Sequence, residues 1–159
     1  MNQSRISIPV TWLSFILGLV LAVSLSAQEK RTRKSDLPPA VQKAAEEQGK
    51  EATIRGYSTE MENGKTEYEV ELTVNGHFKD VTMDPEGNVI EVEEEVALDS
   101  LPAAVREGLQ QEAGKRTISK VESITKHGTL VAYEAQVRKG AKHSEIQVGP
   151  DGKHLDHKE

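Results

Sequence analysis

The sequence predicts an α+β fold of two tandem modules, each a helix packed on a four-stranded antiparallel sheet. Two observations carry this. The stretch from Leu37 to Val92 is written a second time. Leu37-Pro38-Pro39-Ala40-Val41 returns as Leu101-Pro102-Ala103-Ala104-Val105, Tyr68-Glu69-Val70 as Tyr133-Glu134-Ala135, and Asp84-Pro85-Glu86-Gly87 as Gly149-Pro150-Asp151-Gly152. The offset begins at 101 − 37 = 64 and ends at 152 − 87 = 65, so the copies hold register apart from one small insertion. The second observation lies within the first copy. Tyr68, Val70, Leu72 and Val74 alternate with Glu67, Glu69, Glu71 and Thr73, the period of a strand with one apolar and one acidic face.

The helices come first in each module. Ser35-Asp36 offers an N-cap, followed by prolines in the first turn. Leu37, Val41, Ala44 and Ala45 then fall on one helical face, and Gly49 is placed to end the helix. The second copy repeats this with Ser100, Leu101, Val105, Leu109 and Gly114. Each apolar stripe is narrow, so each helix lies on a surface and is not buried all round.

The strands supply that surface. Ala52 to Glu62 ends at Asn63-Gly64, Thr66 to Val74 at Asn75-Gly76, and His77 to Met83 at the Asp84–Gly87 turn, before a fourth strand from Asn88 to Glu95. Asn-Gly between alternating runs is the strongest short-range hairpin signal. The second module gives Thr117–Ile124, Leu130–Lys139, Lys142–Val148 and Lys153–Lys158 the same roles. A unit of about sixty residues is marginal alone, so the modules are expected to pack together or share a sheet.

Composition narrows the function. Cysteine is absent, which excludes disulfides, thiolate metal sites and cysteine nucleophiles. The formal charge of −6 is uneven: residues 36–98 carry 16 Asp/Glu against 5 Lys/Arg, and residues 99–159 carry 9 against 10. An acidic first module repels phosphate backbones, so nucleic acid is not an expected partner.

Residues 1–27 read as an export signal: Arg5, an apolar run from Ile6 to Val23, then the small residues Ser24, Ser26 and Ala27. The alternative is an uncleaved anchor, since that run reaches the lower length limit of a spanning helix, and only then is the membrane a partner. Either way the remainder is expected outside the cytoplasm, periplasmic or secreted. Residues 28–36, polar and basic, read as a flexible linker. The modules then occupy residues 37–98 and 99–159.

The candidate site is the acidic comb. Glu67, Glu69 and Glu71 share a face with Glu91 and Glu93, flanked by Glu94 and Glu95. Like charges packed on adjacent strands cost stability unless something neutralises them, which points to a cation or a basic protein surface. The plain alternative is a solvated strand face protected by charge. Asp84–Asn88 lacks the glycine position of a calcium loop and reads as a turn. His154 and His157, three apart on a strand, fall on opposite faces, so no metal centre is expected from them or His143. No nucleophile elbow, zinc-binding helix motif or phosphate loop is present, an exposed comb does not split carboxyl pKa values, and no cofactor or catalytic residue is expected.

The ordered motifs Leu-Pro-x-Ala-Val, Tyr-Glu-Val, Asp-Pro-Glu-Gly and Asn-Val-Ile resemble the PepSY-like modules, grouped with the β-lactamase-inhibitor-like fold. Leu37, Pro38, Ala40, Val41, Gly64, Tyr68, Val70, Gly76, Asp84, Gly87 and Ile90 carry the resemblance in the first copy. Leu101, Pro102, Val105, Gly128, Tyr133, Val137, Pro150, Asp151, Gly152 and Leu155 carry it in the second, which departs at Gly149 and His154. The resemblance implies a helix on an antiparallel sheet used as a binding module. It also implies a protein partner, with peptidases as one partner class, because such modules occur in the propeptides of secreted metallopeptidases. Its shared residues are structural and transfer no functional site. The expectation is therefore an exported non-catalytic binding protein, or alternatively an envelope calcium or magnesium sensor using the acidic strand face.

Overall fold

The computed structural model describes residues 29–159. The export signal read from residues 1–27 lies outside the described residues. No helix among the described residues is long and apolar enough to cross a membrane.

One antiparallel sheet of eight strands runs through the chain, with spatial order equal to chain order. The strands are β1 (Lys30–Thr32), β2 (Thr53–Glu62), β3 (Lys65–Val74), β4 (His77–Met83), β5 (Val89–Glu95), β6 (Thr117–Lys126), β7 (Thr129–Lys139) and β8 (Lys142–Val148). Helix α1 (Pro39–Gln48) connects β1 to β2, and α2 (Ala103–Ala113) connects β5 to β6. The two modules share one sheet, one of the two arrangements expected, but the second contributes three strands (β6–β8) and not four. β5 pairs with β6, setting Glu91 opposite Lys126 and Glu93 opposite Ile124. This join removes two open strand edges and places a cation beside the acidic comb.

Three local expectations are corrected. The linker read at residues 28–36 is structured from Lys30: Arg31 pairs with Ser58 in β1, and Lys34–Asp36 form a 3-10 turn. The helices begin later than the Ser35-Asp36 cap implied, after Pro38 and Pro102, with no side-chain cap at either. The residue before a proline disfavours helix, and Leu37 and Leu101 are extended, with ψ of 151° in both. They still enter the core, at 4% and 7% exposure. Finally, Lys153–Lys158 form no strand; a single bridge joins Val148 to His154. That segment offers only Leu155 for burial, too little to hold a strand face.

The insertion inferred from the drifting offset is visible. Between Ile124–Ala132 and Thr125–Leu130 the β6–β7 register shifts, leaving Val131 as an extra residue, whereas Met61–Thr66 and Glu60–Glu67 pair without a break in the first copy. A second bulge is common to both copies, at Ile54/Gly56 and Ile118/Lys120.

Both helices cover the same sheet face. Val41 and Ala45 of α1 pack with Val70, Leu72, Val81 and Met83, and Val105, Leu109 and Ala113 of α2 with Val121, Ala135, Val137, Ile146 and Val148. The register Val70–Val81–Val92 and its continuation through Val121–Ala135–Ile146 put these residues on one side. The repeated turn motif locks each helix down. Gly87 (φ +81°) lies under Ala40 and Gly152 (φ +80°) under Ala104, where an added Cβ would meet the helix carbonyl at 2.7 and 2.1 Å. Only glycine combines that φ with that approach.

Candidate functional site

The opposite sheet face carries no helix among the described residues, and the acidic comb lies on it. Glu69 stands opposite Thr82, Glu71 opposite Asp80, and Glu91 and Glu93 opposite Thr82 and Asp80 from the other side. Glu67 shares the face near the β2 edge, opposite Glu60. Glu94 points to the helix side, opposite Lys79 and Ser123. All five predicted residues, Glu67, Glu69, Glu71, Glu91 and Glu93, are therefore brought to one surface. Across β6–β8 the surface continues through Glu122, Glu134, Gln136, Glu145 and Gln147, so it spans both modules. A shallow cleft of about 380 Å³ lies over its centre, lined on both sides of the module boundary.

The comb is not simply solvated. Glu71 and Glu122 are buried, at 6% and 4% exposure, and each is held by cations. Glu71 pairs with Arg31 and, at 3.4 Å, with Arg55; Lys120 pairs with Glu122. Arg55 is the extra residue of the β2 bulge, which turns its guanidinium onto this face. There Nη2 donates to Asp80 Oδ1 at 2.9 Å and Nε to the Leu72 carbonyl at 3.2 Å. Lys126 stands 3.6 Å from Glu91. Glu67, Glu69 and Glu93 are in no ion pair among the described residues.

The titration behaviour follows from this. Burial pushes the Glu69 carboxyl up to about 8, with Asp80 the largest of several like charges adding to it. Burial also pushes Glu93 up to about 8, with Glu122, Glu91, Glu134 and Glu69 adding. Asp80 is raised by burial against the opposing pull of Arg55. Glu134 is raised by burial, opposed first by the hydrogen bond from Gln147 and then by Lys158. A face read from the sequence as leaving carboxyl pKa values alike thus holds two strongly raised carboxyls beside firmly ion-paired ones. Partial burial, which strand alternation does not report, is the cause.

An aromatic residue completes the surface. Phe78, 40% exposed, extends from β4 into the cleft, with Arg55 4.4 Å and Lys120 5.3 Å from its ring centroid. The sequence reading missed Phe78 and all the cations. For Lys120, Glu122 and Glu134 the signal was present: they continue the face by simple alternation or by the repeat offset. For Arg55 it was not, because a bulge breaks the alternation.

Two clusters could hold a metal ion by geometry, Glu29 with Glu69 and Glu71, and Glu60 with Glu62 and Glu67. In each the ligating oxygens lie within 4.8 Å of one another. His154 lies instead beside α2, its Nδ1 3.3 Å from Glu112.

These features define a tandem α+β module with one covered and one open sheet face. The chain belongs to the family described as "Putative beta-lactamase-inhibitor-like, PepSY-like", whose model matches residues 24–91 and 66–155. Comparison with curated proteins finds no match. Among solved structures, a proposed periplasmic protein of Bacteroides eggerthii is similar at TM-score 0.61 and 21% identity, over 75% of this chain and 86% of that one. A BLIP-like protein of Bacteroides fragilis is similar at TM-score 0.54 and 20% identity, over 75% and 83%. A DUF2874 family protein of Bacteroides ovatus is similar at TM-score 0.59 and 18% identity, over 76% and 85%. At these identities the likeness is one of fold.

Proposed function

We propose that the chain is an exported, non-catalytic binding module whose helix-free sheet face docks a protein partner, a peptidase being the partner class the family resemblance implies. The observation that carries this is the face itself: one continuous surface across both modules, with half-buried carboxylates around the exposed Phe78. An aromatic anchor among desolvated charges is the composition of a binding hot spot. The proposed periplasmic character of the B. eggerthii protein agrees with the export signal, and the BLIP-like name of the B. fragilis protein agrees with protein binding. Affinity capture from envelope extract at ~150 mM salt, where exposed charges are screened beyond roughly 8 Å, tests it. The native chain retains one saturable partner; Phe78→Ala and Glu69→Lys/Glu93→Lys chains lose it. Equal retention by all three removes this face from the account.

The second reading, an envelope cation sensor or buffer, is favoured by the Glu29–Glu69–Glu71 cluster. Calorimetry with calcium and magnesium tests it, and the absence of saturable heat disposes of it.

A further inference from the structure

The two copies treat the same positions on the open face differently. Glu134, Glu145 and Lys158 of the second copy correspond to Glu69, Asp80 and Glu93 of the first, at 134 − 69 = 145 − 80 = 158 − 93 = 65. In the second copy the C-terminal tail turns back past β8, where the Glu159 amide donates to Gln147 Oε1 at 2.9 Å. This brings Lys158 Nζ to 2.9 Å from Glu145 and 3.6 Å from Glu134. A lysine is thus seated on the face by the chain itself. In the first copy Asp80 is answered by Arg55, but the position of the lysine holds Glu93, and neither Glu93 nor Glu69 is in an ion pair among the described residues. Lys158 thus answers carboxylates at the β8 flank of the face and Arg31 at its β1 flank, while between them Arg55, Lys120 and Lys126 are engaged elsewhere than at Glu69 and Glu93.

We infer that the partner docks on this face through a basic segment, inserting a lysine or arginine side chain between Glu69 and Glu93 and meeting Glu69 as Lys158 meets Glu134 in the second copy. The inference rests on the protein-binding reading and names the chemistry of its occupant. Charge complementarity selects it: Glu69 and Glu93 are in no ion pair among the described residues, a cation placed between them favours their ionised form, and the second copy shows which side chain meets such a carboxylate. Phe78 beside this centre covers the aliphatic stem of the incoming residue.

A hexalysine peptide added to the full chain, followed by carboxyl-carbon NMR, tests this. Saturable binding that moves Glu69 and Glu93 first is expected. Glu69→Gln/Glu93→Gln weakens it roughly tenfold or more, and Glu107→Gln, exposed on α2, leaves it unchanged. Glutamine keeps the shape and removes like-charge repulsion, and thermal unfolding verifies that the variant folds. Shifts spread evenly over the acidic surface overturn the inference, as does equal affinity for the double variant. So does a response of the two carboxyls to calcium and not to the peptide, or self-association through the face that Lys158→Ala abolishes. If hexalysine fails while Phe78→Ala still loses the captured partner, only this inference falls. If capture is indifferent to the face, the protein-binding reading falls with it.

Discussion

Arg55 stands 4.4 Å over the ring of Phe78, two strands away from it in the sheet, because a bulge between Ile54 and Gly56 turns the arginine out of the strand alternation. The same guanidinium binds Asp80 and Glu71, so one side chain both neutralises the acidic face and supports its exposed aromatic residue. The binding function proposed for the face depends on that arrangement.

Phe78→Ala is accordingly expected to separate stability from binding. With the ring 40% exposed, unfolding free energy falls by no more than about 1 kcal/mol, the scale of a surface cation–π contact. Partner affinity falls by about 2 kcal/mol or more, the scale of a hot spot. Chemical denaturation and a binding titration on the same variant check the two values.

Glu71→Ala has the opposite profile. Its carboxylate is buried between Arg31 and Arg55, so its loss takes the ion-pair partner from Arg31 and leaves Arg55 to Asp80. About 2 kcal/mol of stability is lost, below the 3–5 of a fully buried pair because Arg31 reaches water. Glu67→Ala, at the outer edge of the comb, changes stability by no more than about 0.5 kcal/mol in the same urea series.

Stability falls as pH rises. Glu69 and Glu93 move from 4.5 to about 8 on folding, so the folded chain binds more protons than the unfolded one over that interval. Unfolding then releases protons, and the folded state loses ground from about pH 5 until the carboxyls ionise near pH 8. Glu69 faces Asp80 from β4, Glu60 from β2, Glu29 ahead of β1 and Glu71 on its own strand. Glu93 faces Glu122, Glu134 and Glu69, with Glu91 on its own strand. The nearest cations, Arg31, Arg55 and Lys120, are bound to Glu71, Asp80 and Glu122. Melting temperatures between about pH 5 and pH 9 show the decline, and Glu69→Gln/Glu93→Gln flattens it. A flat native profile contradicts the burial of these two groups.

Gly152→Ala destabilises more than Gly87→Ala. Both need a positive φ, worth about 1–3 kcal/mol, but the new methyl meets the Ala104 carbonyl at 2.1 Å in one and the Ala40 carbonyl at 2.7 Å in the other. Thermal melts of the two variants rank them; equal losses would mean that the turn and helix of the second copy part without cost.

Much of this architecture was legible in the residues. Alternation of Tyr68, Val70, Leu72 and Val74 with the glutamates identified β3 and both its faces, and the drifting repeat offset anticipated the extra Val131. Other features depend on contacts distant in sequence. β1 was hidden in a basic segment whose Arg31 makes sense only beside Glu71. Glu94 and Glu95 suggested a charged edge, yet β5 is interior because β6 pairs with it. The last segment copies the position of a strand while lacking its apolar residues, and so became the tail that delivers Lys158. Periodicity recorded which way side chains face; it could not record how much of the acidic face is buried or by which cations.

The most direct measurement is site-specific photo-crosslinking in the native envelope, with the reactive group placed at Phe78 in one chain and at Gln110, exposed on α2, in another. The account predicts one discrete protein adduct from Phe78, lost in Glu69→Lys/Glu93→Lys, and none from Gln110. An adduct from Gln110 alone, or the same adducts from both positions, would contradict docking on the helix-free face.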